Sequence, residues 1–581
     1  MAIIKNRNKR RDDDRKRPFL NRLLEDNRGN TLIIVAAAIL PLLCLMGSGI
    51  DMGRAYMANA RLQQACDAAA LAGRRVMTTT SVDSTVIAEA TKFFNFNFTQ
   101  GSFGTAAFTP SVTGAANSTV VVTASTTIPT TIMRIFGFAT IPLSTTCNAR
   151  QDFVNTDILL VLDTTGSMAC DVSGNNCNSG STSKIVALRA AVLALYDQLK
   201  PVQDSLTAAG LRLRYGVVPY ASGVNVGKAV RDFNASYIAS DNWIYQSRQA
   251  SFKHVETKVS ASYCDGILGA TKSNQSGSGT SATYTCTYNN SSNSGGTTTF
   301  SSWTYAPTTY DISNYVAGNN VTTLTGTSGA AVSSTWAGCI EERATVNTIT
   351  SSTTSIPSSA YDLDIDMVPT SDKTTKWKPF WPEVEYLPTN AYQYGGEANK
   401  PQWACPAAAS RLKEWTRSDL STYLNTLNAD GGTYHDNGMI WGARFISPTG
   451  IFSSDNPTTY GNMPVSRYII FMTDGLLDTG YDTLYTTYGV EKYDARVTPG
   501  SSSSNETDQA SRHQKRFNLL CDAVKGKNIS IWIVAFAQSL DTNLTNCATN
   551  AAQASTSANS ADLNARFVQI GKNIGSLRLT K

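Results

Sequence analysis

The residues best suited to chemistry lie in Asp163-Thr164-Thr165-Gly166-Ser167. A carboxylate and two hydroxyls, Asp163, Thr165 and Ser167, alternate there, just after the apolar run at 158–162. That run reads as a buried parallel strand. A turn at its end points three oxygens into one crevice at the carboxyl edge of a sheet, where open α/β folds bind ligands. Hard oxygen donors suit a small hard cation such as Mg2+. An Asx turn with an N-cap would use the same five residues, so a metal site needs more oxygens from elsewhere.

From 157 onward, strands and helices alternate, the mark of a parallel α/β sheet. Strands are expected at 157–162, 211–218, 468–472 and 529–536. Helices are expected at 184–200, 417–427, 437–445, 517–525 and 561–574. Two further oxygens fall in the right places. Thr433 sits in a Gly431-Gly432-Thr433 turn ahead of a helix, and Asp474 follows the strand 468–472, as Asp163 follows its own.

Together these residues resemble the von Willebrand factor type A domain and its metal-ion-dependent adhesion site. The family pattern is D-x-S-x-S, a distant Thr, then a distant Asp after a strand. Here it falls on Asp163, Thr165, Ser167, Thr433 and Asp474, with Thr165 keeping the hydroxyl of the usual Ser. The resemblance implies that the hydroxyls bind the ion while one or both carboxylates act through water. The ion would be Mg2+, with Ca2+ or Mn2+ as alternatives, and an open position would take a carboxylate from a protein ligand. An ion capped by water that only holds the loops is the structural alternative.

The chain has 581 residues, 41% of them hydrophobic, enough for two or three cored domains. Of its 49 Lys/Arg and 44 Asp/Glu, residues 1–28 hold ten and five, so the net charge of +5 belongs to this tail and the rest is balanced. Nothing beyond the tail supports nucleic-acid binding. The twenty residues 31–50, TLIIVAAAILPLLCLMGSGI, are long and apolar enough to span a bilayer. The basic tail predicts a cytoplasmic N-terminus. A cleaved signal peptide would want a shorter run and an A-x-A site, which does not follow closely. Past the span, 51–74 is alanine-rich and helical. Its small-residue face allows either close packing on its own domain or contact with a second helix.

Gly29-Asn30, the apolar span, Gly49-Ile50-Asp51, Arg54-Ala55-Tyr56 and LQQACDAAALAG resemble the N-terminal module of TadG-like proteins of the Tad (Flp) pilus assembly system. Processed pseudopilins are cut after a Gly with a Glu five residues on; here Ile34 holds that place, consistent with a retained anchor. The expected organisation is a cytoplasmic tail at 1–28, a transmembrane anchor at 29–52, a stalk helix with a small α+β region at 53–152, and a Rossmann-like type A domain at 153–581 interrupted by an insertion at 228–415. In the small region a helix is expected at 86–97 and strands at 118–125 and 139–147. The resemblances imply an inner-membrane, single-pass protein with a periplasmic C-terminal domain. It would bind other Tad assembly proteins or pseudopilins without catalysis. A surface-displayed adhesin, or an envelope protein with a purely stabilising metal, are the alternatives.

The insertion is rich in Ser, Thr, Asn and Gly, most of all at 273–302, but it also holds seven Trp and four Cys. Aromatics at that density argue for an ordered subdomain with a flexible segment inside it. Asp362, Asp364 and Asp366 alternate with apolar residues and read as a half-buried strand with an acidic outer face. Of eleven cysteines, Cys44 lies in the apolar span. The other ten fit an oxidising compartment. Connectivity cannot be read from spacing; one pairing, of sequence neighbours, would be Cys170–Cys177, Cys264–Cys286, Cys339–Cys405 and Cys521–Cys547, leaving Cys66 with Cys147. There is no G-x-S-x-G, no Walker loop, and no His placed beside a Ser or Cys nucleophile.

Overall fold

The computed structural model describes residues 30–77, 81–115, 119–149, 154–289, 297–388 and 393–575. The basic tail at 1–28 lies outside them. The chain forms two compact units that divide between Asp152 and Phe153.

In the first unit a single helix, α1 (Asn30–Val76), runs on from the apolar span without a break, with Pro41 inside it. It is long and apolar enough to cross a membrane, and its first half is exposed. In its second half Ala58, Leu62, Ala65 and Ala69 are buried, a helical stripe. They pack in one core with residues of helix α2 (Ser84–Asn97) and of an antiparallel sheet of β1 (Ser111–Ala115), β2 (Thr119–Pro129) and β3 (Thr140–Ala149). The small-residue face therefore packs on its own unit. Asp83 caps α2 by accepting from the Thr85 and Val86 amides, each at 3.0 Å. Cys66–Cys147 joins α1 to β3. Strand β1 had no clear signal, because only Val112 of its five residues is buried.

The second unit is built on β4 (Asn155–Asp163), followed by α3 (Lys184–Ala208) and β5 (Leu213–Tyr220). The inserted stretch comes next and carries a four-stranded sheet of β6 (Asn242–Ser260), β7 (Thr271–Ser276), β8 (Thr283–Tyr288) and β9 (Thr297–Asp311). The chain rejoins the main sheet at β10 (Ser410–Lys413). It continues through α4 (Arg417–Leu424), α5 (His435–Ile446), β11 (Met463–Thr473), α6 (Glu506–Lys525), β12 (Ile529–Phe536), β13 (Ala554–Ser557) and α7 (Ser560–Ile574). The main sheet has the order β10-β5-β4-β11-β12-β13, with the short strand Thr459–Tyr460 paired to β11. Its strands are parallel except β10, which runs antiparallel to β5, and the short strand Thr459–Tyr460, which runs antiparallel to β11.

All nine residues of β4 are buried. Leu159 and Val161 face a core shared with α5 and α6, while Ile158, Leu160 and Leu162 face one shared with α3 and α7. Helices cover both faces, as a parallel sheet requires. This is a doubly wound, Rossmann-like sheet. In this order the chain reverses direction between β4 and β11, which places the crevice at their carboxyl ends.

The inserted stretch is more regular than its composition suggests. Most of β7, all of β8 and the start of β9 fall within 273–302, though 290–296 lies outside the described residues. Cys264–Cys286 closes this sheet. β10 lies inside 228–415 yet belongs to the main sheet. The strand expected at 362–366 does not form. Asp362 sits in a single turn, Tyr361–Leu363, fully buried and ion-paired with Arg516. Asp364 accepts the Asp366 and Met367 amides of its own loop, each at 2.9 Å. An arginine from α6 draws the first acid inward, which alternation along the sequence could not reveal.

Buried Glu342 ties the inserted stretch to α5. Its carboxylate accepts from Trp441 Nε1 at 2.6 Å, Arg444 Nη1 at 2.8 Å and Trp377 Nε1 at 2.9 Å. The remaining disulfides are Cys170–Cys177, Cys339–Cys405 and Cys521–Cys547. All five bridges match the pairing of sequence neighbours, and Cys44 stays a thiol.

Candidate metal centre

β4 ends at Asp163 and β11 at Thr473, on neighbouring strands. The two loops that leave them meet. Asp163 is fully buried. Its Oδ1 accepts the Thr165 amide at 2.9 Å, which turns the chain back on itself. Its Oδ2 accepts Thr473 Oγ1 at 2.8 Å and Tyr220 Oη at 3.4 Å. The hydroxyls of Thr165 and Ser167 are 3.0 Å apart, and Ser167 Oγ donates to Asp474 Oδ1 at 2.8 Å. Asp163, Thr165, Ser167 and Asp474 thus form one hydrogen-bonded cluster with the Thr473 hydroxyl.

Thr433 comes from the other side. Its amide donates to Asp478 O at 2.8 Å, and it lines the same cleft of about 430 Å3 as Thr165 and Ser167. The turn that carries it is clamped to the first loop: Gly166 N donates to Gly431 O and Asp430 N to Thr164 O, both at 2.9 Å. Gly431 has φ +79°, and a Cβ there would lie 2.5 Å from that of Ala404, so only glycine fits. The loop after Asp474 is held by Glu506, which accepts from the Thr479 and Gly480 amides at 3.0 and 2.8 Å.

Three contributors went unnoticed in the sequence. Thr473 orients Asp163. His435 stands behind it, with Nε2 3.0 Å from Thr473 Oγ1; burial lowers its pKa to about 4, so the imidazole is neutral. Lys184, the first residue of α3, places its ammonium 2.5 Å from Asp474 Oδ2. The only sequence signal for Lys184 was its place at the head of the helix that follows the motif. Burial and the Asp474 carboxylate raise Asp163 to about 7.

The donor set is one that a hard divalent cation takes: carboxylate and hydroxyl oxygens converging in a buried crevice. Asp474 Oδ2 is buried and faces the Lys184 ammonium at 2.5 Å, so the crevice already holds one positive charge against this carboxylate. Among the described residues no group of three or more His, Cys, Asp or Glu is arranged to hold a metal, so a site here has to draw on the hydroxyls. The residues fit the ion.

Residues 29–77 match the Tad family model, described as Flp pilus-assembly TadE/G-like. No curated protein matches the chain. Solved structures similar to it include the pilus adhesin SpaC from Lactobacillus rhamnosus GG, at 11% identity and TM-score 0.28, covering 80% of this chain and 34% of that one. The PilB minor pilin from Streptococcus sanguinis matches at 10% identity and TM-score 0.29, covering 80% and 77%. The vWF domain of the type V pili tip protein Mfa5 from Porphyromonas gingivalis matches at 10% identity and TM-score 0.28, covering 74% and 98%. The chain spans about a third of the length of SpaC. Likenesses this distant bear on neither ligand nor partner.

Proposed function

We propose that the chain is a membrane-anchored component of Tad/Flp pilus assembly or anchoring that binds protein partners through a metal-ion-dependent adhesion site. The observation that carries this reading is the hydrogen-bonded cluster of Asp163, Thr165, Ser167 and Asp474 at an open cleft. Asp163, Thr165, Ser167, Thr433 and Asp474 would hold the ion, Mg2+ or else Ca2+ or Mn2+. When bound, the ion supplies a Lewis-acidic position for a carboxylate of the partner. Thr473 and Tyr220 fix the rotamer of Asp163, and Leu476, 74% exposed at the rim of the cleft, offers an apolar contact beside the carboxylate. The partners are other Tad assembly proteins or pseudopilins. The anchor lies in the inner membrane, with the N-terminus cytoplasmic and the second unit periplasmic. The role is binding, not catalysis.

The test is co-purification of the intact chain with and without chelator, alongside Asp163→Ala combined with Asp474→Ala. A partner that leaves with the metal, and piliation that falls in the double variant while the protein level holds, support the reading. Normal piliation without detectable metal binding would sink it. Degradation of the double variant would show an ion that only stabilises the fold.

A further inference from the structure

We propose that the loop at 131–138, Thr-Ile-Met-Arg-Ile-Phe-Gly-Phe, is a second membrane contact that dips into the lipid interface beside α1. The proposal rests on the reading of α1 as a membrane span and on contacts within the first unit alone.

The loop joins β2 to β3 and contains the single turn Met133–Phe136. It is fixed to α1 where the apolar span ends. The Asp51 carboxylate accepts three successive backbone amides, from Thr131 at 2.8 Å, Ile132 at 3.0 Å and Met133 at 2.8 Å. Ile132 packs over Gly47, where a Cβ would lie 2.5 Å from Ile132 Cγ2. Ser48 Oγ donates to Met133 Sδ at 3.3 Å. The loop therefore sits level with residues 47–51, the last turn of the twenty-residue span. A span of that length covers the hydrocarbon core of about 30 Å, so this level is the border between acyl chains and headgroups.

At that level the loop turns its apolar side chains outward. Ile135 is 80% exposed and Phe138 61% exposed. In water, apolar side chains so bare at the tip of one loop would be unsupported. At a bilayer border they are where aromatic and aliphatic anchors belong. Arg134, just before Ile135, is exposed, and its long side chain can reach the phosphates. The occupant is a lipid surface because the loop is continuous with the span: whatever surrounds Gly47 and Ser48 also surrounds Ile135. A bilayer contact there would fix the tilt of the first unit, which one helix alone leaves free.

The test uses the full chain in phosphatidylcholine vesicles containing phosphatidylglycerol, with an environment-sensitive fluorophore on a single thiol. Labels go on Ile135→Cys and on Phe138→Cys in a Cys44→Ala background, and on native Cys44. Phe96→Cys in the same background is the aqueous control. Phe96 is exposed on α2, whose end meets Arg61 through Asn97 O at 3.0 Å. Arg61 lies about 16 Å along α1 from Ile50. Expected is quenching of the Ile135 and Phe138 labels by a spin label on the lipid acyl chain, and of the Phe96 label by aqueous iodide. If both loop labels behave like Phe96 while Cys44 is quenched from the lipid, the span stands and the loop contact is overturned. If Cys44 also escapes lipid quenching, the span itself fails and the loop contact with it.

Discussion

Ser167 Oγ donates to Asp474 Oδ1 across 2.8 Å, although 307 residues separate the two in the chain. This bond closes the crevice between β4 and β11. Ser167 is exposed, so the bond is worth about 1 kcal/mol or less to folding. In the proposed metal site its larger role would be as an oxygen donor to the cation. Ser167→Ala is therefore expected to leave the metal-free unfolding temperature nearly unchanged and to remove most of the rise produced by Mg2+. Calorimetry with and without Mg2+ checks this; a full Mg2+ response in the variant would exclude Ser167 as a donor.

Lys184 presents a tethered cation to the carboxylate that the ion would use. Its ammonium is buried against Asp474 Oδ2 at 2.5 Å, so a divalent cation has to compete with it. Lys184→Met should lower metal-free stability, by up to about 3 kcal/mol, because Asp474 loses its buried counter-charge. The same variant should bind Mg2+ more tightly, about tenfold, the equivalent of about 1.4 kcal/mol. Titration calorimetry reads the affinity directly. Unchanged or weaker binding would mean that Lys184 and the ion do not share Asp474.

The main sheet and the cluster were legible in the sequence because their signals are local. Each of β4, β11 and β12 is an apolar run, and each oxygen sits in a short loop or turn next to a strand or helix. The rest depends on contacts that no local pattern carries. Lys184 reads as an ordinary helix residue until the fold brings it to Asp474. Asp362 looked like the solvent face of a strand because its partner Arg516 is 154 residues away. β10 is four residues long with a single buried side chain, Leu412, too little to stand out at the end of the inserted stretch. The disulfide connectivity was not legible in the sequence, since ten cysteines allow many pairings; the structure joins each to a sequence neighbour once Cys44 is set aside.

Glu342 is expected to be a stability hot spot outside the site. Its buried carboxylate neutralises Arg444 and takes both the Trp377 and Trp441 indole N–H groups. Glu342→Ala leaves a buried guanidinium without its ion-pair partner, at a cost of about 3–5 kcal/mol. Glu342→Gln keeps the shape and one acceptor and should cost less. Because α5 starts two residues after Thr433, the alanine variant should also weaken the Mg2+ response. Denaturant unfolding of the two variants checks the ranking; equal stability would mean that the inserted stretch is not held through this carboxylate.

Asp494 sets a pH dependence outside the cluster. Burial, and then the neighbouring Glu341 carboxylate, raise it to about 6. It accepts the Val490 amide at 2.7 Å, and Lys378 and Arg496 on the same cleft are engaged by Glu341. Nearby Glu385 is also raised, by burial and then by Asp494 itself. In the unfolded chain Asp494 titrates near the ordinary value of 3.8. Between about pH 4 and 6 the folded state therefore binds the extra proton, and the stability this contributes is lost as pH rises through that window. Asp494→Asn keeps an acceptor for Val490 and removes the titration. It should flatten stability between pH 4 and 6 by about 1–2 kcal/mol and make the protein more stable than the parent at pH 7. Denaturant midpoints measured across this range decide it: parallel pH profiles for parent and variant would show that Asp494 keeps an ordinary carboxylate pKa in the folded state.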